Sequence, residues 1–184
     1  AITARAMNGE LDFESALRTR VKLLKGLPIS QMEEVRRERI TLAPGGRALV
    51  QTMKTHGAFT SLVSGGFTYF ADYIGKRIGF DEAMANILEL DGDALDGTVR
   101  APILGREAKL SRLMTLAAYH DIPIAGTLAV GDGANDLDMI RAAGLGVALH
   151  AKPVVAAEAQ VRIDHGDLTA LLYLQGYSDE DFVR

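Results

Sequence analysis

Two glycine-rich turns carry the residues of this sequence that are best suited to phosphate chemistry. In the first, Ser64, Gly65 and Gly66 follow an apolar run that is predicted to be a strand and precede a predicted helix. A hydroxyl group and uncovered backbone N–H groups at the start of a helix can bind an anion such as phosphate. The alternative interpretation is an ordinary turn between a strand and a helix.

The second turn, residues 131–136, follows another apolar run. It contains the carboxylates of Asp132 and Asp136 and the amide of Asn135. Clustered hard oxygen ligands of this kind suit Mg²⁺ beside a phosphate group. The alternatives are an Asx turn, or a role for Asn135 and Asp136 in capping the next helix.

Between these turns, Lys109 lies in the first turns of a predicted helix that Gly105 precedes. Most lysines are solvated on the protein surface, which is the alternative to a role in the site. The four histidines lack the spacing of metal ligands and are predicted to lie on the surface or in loops: His56, His120, His150 and His165.

The elements that must position these residues alternate between strands and helices over residues 41–184. This pattern predicts an α/β fold with a doubly wound parallel sheet, in which ligands bind beyond the carboxyl ends of the strands. Turn residues Asp91, Gly92 and Asp93 predict a β-hairpin near residues 84–101.

The first forty residues have a different character and are predicted to be helical. Asp12 caps one predicted helix, and an S-x-x-E capping box at Ser30 and Glu33 begins the next. We therefore expect residues 1–40 to belong to a small helical cap and residues 41–184 to form the α/β core, hairpin included.

Composition excludes several classes of protein. With 48% hydrophobic residues in 184, the chain can bury a core and is not disordered. A net charge of −4 without a basic block argues against nucleic-acid binding, and the absence of cysteine excludes disulfides and thiolate metal sites. No apolar run approaches the roughly 18 residues of a membrane span. A cytoplasmic location is expected, since the lack of cysteine is compatible with a reducing compartment.

A family resemblance extends over essentially the whole chain. Ser64, Lys109 and the segment 131–136 resemble, in this order, the second, third and fourth motifs of the haloacid dehalogenase-like phosphatases. Further segments resemble the phosphoserine phosphatase branch of that family: residues 7–13 with 17–20, 63–67, 80–86, 130–137, 151–153 and 167–168.

The resemblance implies a Mg²⁺-dependent phosphomonoester hydrolase that works through an aspartyl-phosphate. It implies that Asp132 is the metal ligand and that Lys109 neutralises charge on the phosphoryl group. Asp136 would orient either Lys109 or a metal-bound water. Ser64 and the Gly65 N–H would bind phosphate oxygens. Asn135 would donate a hydrogen bond near them.

The resemblance also implies L-phosphoserine as the substrate, a small phosphorylated amino acid. Arg20 would bind its carboxylate, while Met7 and Phe13 would close over it. The alternatives are that Met7 and Phe13 belong to the cap core and that Arg20 forms a surface ion pair. Neither nucleic acid nor membrane is expected as a partner, and the oligomeric state is left open, with a homodimer as one option.

One motif of the family is missing from the sequence. The first motif, D-x-D-x-[T/S], occurs nowhere in the 184 residues. We therefore expect the nucleophile upstream of Ala1, on a central strand that is missing from this chain, so that Leu62 and Val130 are not neighbours in a sheet. The 184 residues alone are expected to be inactive. The alternatives are another small-molecule phosphatase of the family, or an inactive fragment that binds phosphate or a partner.

Overall fold

The computed structural model describes residues 13–183. The helices are α1 (Phe13–Lys22), α2 (Ile29–Glu38), α3 (Gly46–Thr55), α4 (Thr68–Ile78), α5 (Arg106–Tyr119), α6 (Leu137–Ala142), α7 (Pro153–Ala156) and α8 (Ala170–Leu174). The strands are β1 (Ser61–Phe67), β2 (Glu82–Asn86), β3 (Leu88–Asp91), β4 (Ala94–Val99), β5 (Leu128–Gly131), β6 (Leu145–Leu149) and β7 (Val161–Ile163). Within this part of the chain, no helix is both long enough and apolar enough to cross a membrane.

Parallel strands interleaved with helices confirm the predicted α/β class. They lie in two groups: β1 pairs with β2, while β5, β6 and β7 pair in that order. Across residues 13–183 no ladder joins β1 to β5, so Leu62 and Val130 are not sheet partners, as expected. That a further strand lies between them stays a prediction.

The strand β6 lies at the centre of the larger group and is buried on both of its faces. Val147 packs with Ile163 and Leu171 on one side, while Ala148 packs with Ile140 on the other. Such two-sided burial is typical of parallel strands that helices cover. It makes β5 and β6 a firm support for the turns that follow them.

The hairpin is present, but it begins later than predicted. Strands β3 and β4 pair antiparallel around Gly92 and Asp93, whereas residues 84–86 belong to β2 and pair in parallel with β1. The prediction of a hairpin strand at 84–86 was therefore wrong. An apolar run looks the same in a buried parallel strand as in a hairpin, so periodicity could not separate the two.

The segment that contains the first two helices contacts the hairpin. Leu17 and Val21 of α1 pack against Val99 of β4, and the Gly26 N–H donates to the Leu95 carbonyl over 2.8 Å. The predicted cap helices therefore contact the hairpin. Where the cap domain ends stays a prediction.

The start of α2 differs from its prediction. Pro28 occupies the N-cap position with an extended backbone (φ −63°, ψ 144°), and no side chain caps the helix. Ser30 is already inside the helix, which begins at Ile29. The predicted capping box of Ser30 and Glu33 is therefore wrong, because the proline places the helix start earlier along the chain.

Candidate active site

The first glycine-rich turn lies in an irregular part of β1. Val63 pairs with Met84 and Phe67 pairs with Asn86, so β1 advances four residues while β2 advances two. The residues between Val63 and Phe67 therefore bulge out of the ladder, which frees their backbone groups from regular pairing. Within this bulge, the Ser64 Oγ accepts a hydrogen bond from the Gly66 N–H over 3.0 Å.

A buried amide holds this turn against the start of α5. Asn86 is 1% exposed, and its Nδ2 donates to the carbonyls of Gly65 (3.1 Å) and Leu104 (3.3 Å). Its Oδ1 accepts a hydrogen bond from the Leu104 N–H over 2.7 Å. Asn86 had no predicted role of its own beyond the family segment 80–86 and the predicted hairpin, although a polar amide at the end of an apolar run was an available signal.

The second turn is built around a buried ion pair. Asp136 is 3% exposed, and its Oδ2 accepts hydrogen bonds from the Gly133 N–H (3.0 Å) and the Asp132 N–H (3.2 Å). Its Oδ1 pairs with the ammonium of Lys109, whose side chain is 11% exposed. The structure thus contradicts the alternative of a solvated surface lysine. Asp136 both shapes the turn and neutralises a buried cation.

Asp132 differs from Asp136 because it is exposed and accepts no side-chain hydrogen bond from residues 13–183. Its carbonyl accepts a hydrogen bond from the Lys152 N–H over 3.1 Å. Asp132 lines an open cavity of about 290 Å³ with Val130, Gly131, Leu149 and His150, at the carboxyl ends of β5 and β6. A carboxylate at this place is free to bind a cation.

The two turns face each other although they belong to different sheets. A Cβ atom added at Gly65 would lie 4.0 Å from the Asn135 Nδ2 and 3.1 Å from the ring of Phe13. The same ring lies 3.5 Å from the place that a Cβ atom would take at Gly105. Phe13 therefore covers the first turn and the start of α5, and it is 40% exposed, which contradicts the alternative of a core residue.

The remaining predicted residues are less closely tied to the site. Arg20 follows Phe13 by seven residues on α1, so it lies on the same side about 10 Å further along the helix. Arg20 is exposed, and its side chain forms no hydrogen bond or ion pair with another described residue, so the alternative of a surface ion pair finds no partner there. Met7 lies outside the described residues.

Two further ion pairs flank Lys109 and were missed from the sequence. Arg106 pairs with Asp138 through its Nε and one terminal nitrogen, and Arg112 forms a two-point pair with Glu82. The Arg106 guanidinium lowers the pKa of the Asp138 carboxyl, and Arg112 does the same for Glu82. The available signal was the three-residue spacing of basic side chains on a predicted helix.

The site residues do not by themselves contain a complete metal centre. Within residues 13–183, no group of three or more Asp, Glu or His side chains is placed to hold a metal ion. The oxygens of Asp136 are engaged by Lys109 and by backbone N–H groups, which leaves Asp132 as the carboxylate of this turn that can bind a cation. Mg²⁺ commonly takes one or two carboxylates and completes its shell with water and phosphate oxygens, so the donor set fits in part.

Comparisons with known proteins show the family to which the chain is similar. The model of the haloacid dehalogenase-like hydrolase family matches residues 2–141. The phosphoserine phosphatase of Streptomyces coelicolor is 46% identical over 98% of this chain, and that of Haemophilus influenzae is 44% identical over 97%. The phosphoserine phosphatase of Lactococcus lactis is 38% identical over 98%. The chain covers 44%, 57% and 83% of these relatives, so it spans about half the length of the first two.

Solved structures give the same result. A substrate-bound phosphoserine phosphatase complex matches with a TM-score of 0.87, and a phospho-aspartyl intermediate analogue of phosphoserine phosphatase matches with 0.86. Each is 39% identical to this chain, and each match covers 94% of this chain and 82% of the other. The likeness therefore includes nearly all of the fold.

Proposed function

Because this chain belongs to the haloacid dehalogenase-like hydrolase family, we propose that its protein hydrolyses L-phosphoserine to L-serine and inorganic phosphate. The observation that carries the proposal is the meeting of the two turns. Gly65 in the first turn faces Asn135 in the second, and Asp136 of the second turn is paired with the buried Lys109 of α5. Anion-binding groups and a buried cation thus converge where strands end.

The first turn supplies hydrogen bonds for the phosphoryl oxygens. The hydroxyl group of Ser64 and the N–H of Gly65 are small donors, and Gly65 lacks a side chain that would keep the phosphate away. Asn135 adds an amide donor from the opposite turn. These three groups bind and orient the phosphate group before any bond breaks.

Lys109 stabilises the negative charge that the phosphoryl group carries during transfer. Its side chain is 11% exposed, so its field is screened less than that of a surface lysine. Asp136 keeps the ammonium in one place, because its Oδ1 pairs with the Lys109 Nζ. Preorganised charge of this kind is a large part of catalysis in phosphoryl transfer.

Asp132 is the residue of this chain that would hold Mg²⁺. The ion, when bound, neutralises phosphate oxygens and helps to orient the transferring group. The exposure of Asp132 and the absence of a competing side-chain partner in the described part of the chain support this role.

The proposed reaction needs a carboxylate nucleophile that these 184 residues do not contain. The carboxylate of a D-x-D-x-[T/S] motif attacks phosphorus, and the bond from phosphorus to the serine oxygen breaks. The second aspartate of that motif gives its proton to the serine oxygen. It then takes a proton from the water that hydrolyses the aspartyl-phosphate. The solved relative described as a phospho-aspartyl intermediate analogue supports this route. We propose that the 184 residues alone do not turn over substrate.

Arg20 gives the proposed specificity for an amino acid. A guanidinium group suits a carboxylate because it can donate two parallel hydrogen bonds. The Arg20 side chain has no hydrogen-bond or ion-pair partner within the described residues. It lies on the same helix as Phe13, which covers the first turn. Met7 and Phe13 would close over the substrate.

The proposed setting follows from the chemistry of the substrate. The ligand is a small phosphorylated amino acid rather than a nucleic acid or a membrane, and a net charge of −4 without a basic block supports this. We propose that the protein is cytoplasmic and that it forms a homodimer. Analytical ultracentrifugation of the full-length protein would test the oligomeric state.

The substrate assignment is tested by phosphate release from the full-length protein. L-Phosphoserine is compared with phosphoethanolamine, which has the same ester and amine but lacks the carboxylate. Arg20→Ala should lower kcat/KM for phosphoserine by about thirtyfold or more, because a charge-paired hydrogen bond is worth about 2 kcal/mol or more. The same substitution should leave kcat/KM for phosphoethanolamine nearly unchanged.

Arg18→Ala is the matched control, because Arg18 lies on the same helix and is paired with Glu14. This variant should leave kcat/KM unchanged for both substrates. Equal losses for both substrates in Arg20→Ala would overturn the amino-acid assignment. The absence of phosphate release from both substrates by the unmodified full-length protein would overturn the phosphatase proposal.

A further inference from the structure

Three basic side chains form a row along α5, and each is paired with a carboxylate. Arg106, Lys109 and Arg112 are spaced three residues apart, which places them as neighbours on the helix surface. Their partners lie on α6, in the turn after β5 and on β2, and are, in this order, Asp138, Asp136 and Glu82. The helix α5 therefore connects separate parts of the molecule through charge.

The carboxylates that pair with the two ends of the row belong to different parts of the molecule. Arg106 and Lys109 reach the elements that follow β5, whereas Arg112 reaches β2, the strand that pairs with β1. Within residues 13–183 no ladder joins these two sheets. Their relative placement in this part of the chain must therefore depend on the elements that touch both, and α5 is one of them.

The pair of Arg112 and Glu82 is well suited to hold a helix. The Arg112 Nε donates to the Glu82 Oε1 over 2.8 Å, and its terminal nitrogen binds the other carboxylate oxygen. The Ser61 hydroxyl group donates to the same Oε1 over 2.8 Å. The two side chains are 27% and 18% exposed, so water screens the pair only in part. A two-point pair with a planar fork resists rotation, unlike a single ammonium contact.

A helix that is fixed to the sheet by one contact can rotate about that contact, whereas a second contact fixes the direction of its axis. The first place is the start of α5, where Asn86 binds Leu104 and Gly65. The second is Arg112, which lies one turn beyond Lys109 on the side of β2. Lys109 lies between these two places along the helix.

We propose that Arg112, acting through Glu82, is a positioning residue that holds the Lys109 ammonium at a set distance from the Ser64–Gly65 turn. This inference rests on the proposed function, because it is the transfer of a phosphoryl group bound at that turn that needs the ammonium in place. Arg112 itself touches neither substrate nor phosphate. It acts by securing α5 to the sheet that carries the phosphate turn.

The kinetic test uses the full-length protein and the variants Arg112→Met, Glu82→Gln and their double. Displacement of a stabilising group lowers kcat, while substrate binding through other groups leaves KM nearly unchanged. We expect each single variant to lower kcat about tenfold or more, with KM changed by less than about twofold. The double variant should be no slower than the slower single, because both changes break the same pair.

Arg100→Met is the matched control. Arg100 forms a two-point pair with Glu89 across the β3–β4 hairpin, with distances of 2.7 and 3.0 Å, and neither residue touches α5 through a hydrogen bond. It should leave kcat unchanged. Arg112→Lys keeps the charge and most of the packing but loses the fork, so it should lose part of the rate while its thermal midpoint stays near that of the unmodified protein.

A second readout does not depend on turnover. In protein labelled with ¹⁵N-lysine, the ammonium protons of Lys109 should exchange more slowly than those of a solvated lysine because the pair with Asp136 is buried, and Arg112→Met should speed this exchange about tenfold or more. A lowered thermal midpoint with unchanged kcat and unchanged Lys109 exchange would overturn the inference. If the unmodified protein releases no phosphate, the proposed function fails, and the Lys109 exchange alone decides whether Arg112 positions the ammonium.

Discussion

The two turns that meet at the site are stabilised by different kinds of interaction. The first turn is held by neutral groups: the Ser64 hydroxyl accepts from Gly66, and the amide of Asn86 donates to the Gly65 carbonyl. The second turn is held by charge, because Asp136 binds two backbone N–H groups and the ammonium of Lys109. One turn thus adds no charge of its own, and the other contains a buried ion pair.

This difference separates two tasks. A neutral turn with a small residue can present donors to an anion without repelling it. A turn with two carboxylates would repel the same anion, and Lys109 removes this repulsion by neutralising Asp136. The exposed side chain of Asp132 has no such partner in the described residues and is therefore left to bind a cation. Substitutions in and around the two turns of the 184-residue chain should therefore differ in their effects, which decrease in the order Asp136, Asn86, Glu82 and Ser64.

Asp136→Ala should have the largest effect on stability. It leaves the buried Lys109 ammonium and two backbone N–H groups without their acceptor, which should cost about 3–5 kcal/mol of unfolding free energy. Lys109→Met should cost less, about 1–3 kcal/mol, because the carboxylate keeps its two N–H donors. Urea unfolding of both variants measures the difference. Equal losses would show that the two backbone hydrogen bonds of Asp136 add nothing, and an unchanged stability of Lys109→Met would show that the turn does not depend on charge.

Asn86→Ala should be next, with a loss of about 2 kcal/mol, because it leaves part-buried backbone groups of Gly65 and Leu104 unpaired. It should also weaken the binding of inorganic phosphate, measured by calorimetry, because the first turn is no longer held. Thr52→Val is the control: Thr52 is fully buried and accepts a hydrogen bond from the Val183 N–H over 2.9 Å, away from both turns. A similar loss of phosphate affinity in Thr52→Val would show that only general stability is involved.

A smaller effect should appear in the pH dependence of stability. Arg112 lowers the pKa of Glu82 below its ordinary value of 4.5, so folding favours the ionised carboxyl. Its contribution, about 1.5 kcal/mol, is present above pH 4.5 and is lost as the pH falls through the lowered pKa. Urea unfolding of Glu82→Gln and the unmodified chain between pH 7 and pH 3 should show curves that converge at the acidic end. Parallel curves would contradict the pairing.

Ser64→Ala should have the smallest effect on stability, about 0.5–1 kcal/mol, because it removes one neutral hydrogen bond. Its effect on phosphate affinity should be larger in proportion, since the hydroxyl group is a proposed ligand. Ser61→Ala is the control on the same strand, where the hydroxyl group binds Glu82 instead. Titration with phosphate should separate the two variants, and equal affinities would remove Ser64 from the phosphate site.

Local patterns in the sequence predicted much of the fold and the site. The alternation of strands and helices, the turn at residues 131–136 and the helix that carries Lys109 were all predicted and are present. Each of these depends on neighbours in sequence, such as apolar periodicity and glycine placement. The start of α2 and the extent of the hairpin were wrong, because a proline and a parallel partner strand competed with the local signals.

The partners of the site residues were harder to predict. Asn86 precedes Leu104 by eighteen residues, and Arg112 follows Glu82 by thirty, so no local spacing relates them. Lys109 gave no sign in the sequence of being buried, because a lysine on a helix is usually solvated. Its burial comes from the packing of α5 over the second turn, where Asp136 supplies the opposite charge.

The sequence by itself determined which residue types stand at the ends of the strands and therefore which chemistry is available: small donors at residues 64–66, carboxylates at residues 132 and 136, and a cation at residue 109. Only the tertiary structure decided which of these are neutralised and which are free. Asp136 and Asp132 are the same residue type in one turn, yet Asp136 is buried against Lys109 and Asp132 is exposed. Burial makes an unpaired charge costly, so the fold that places α5 also decides which carboxylate remains for a cation.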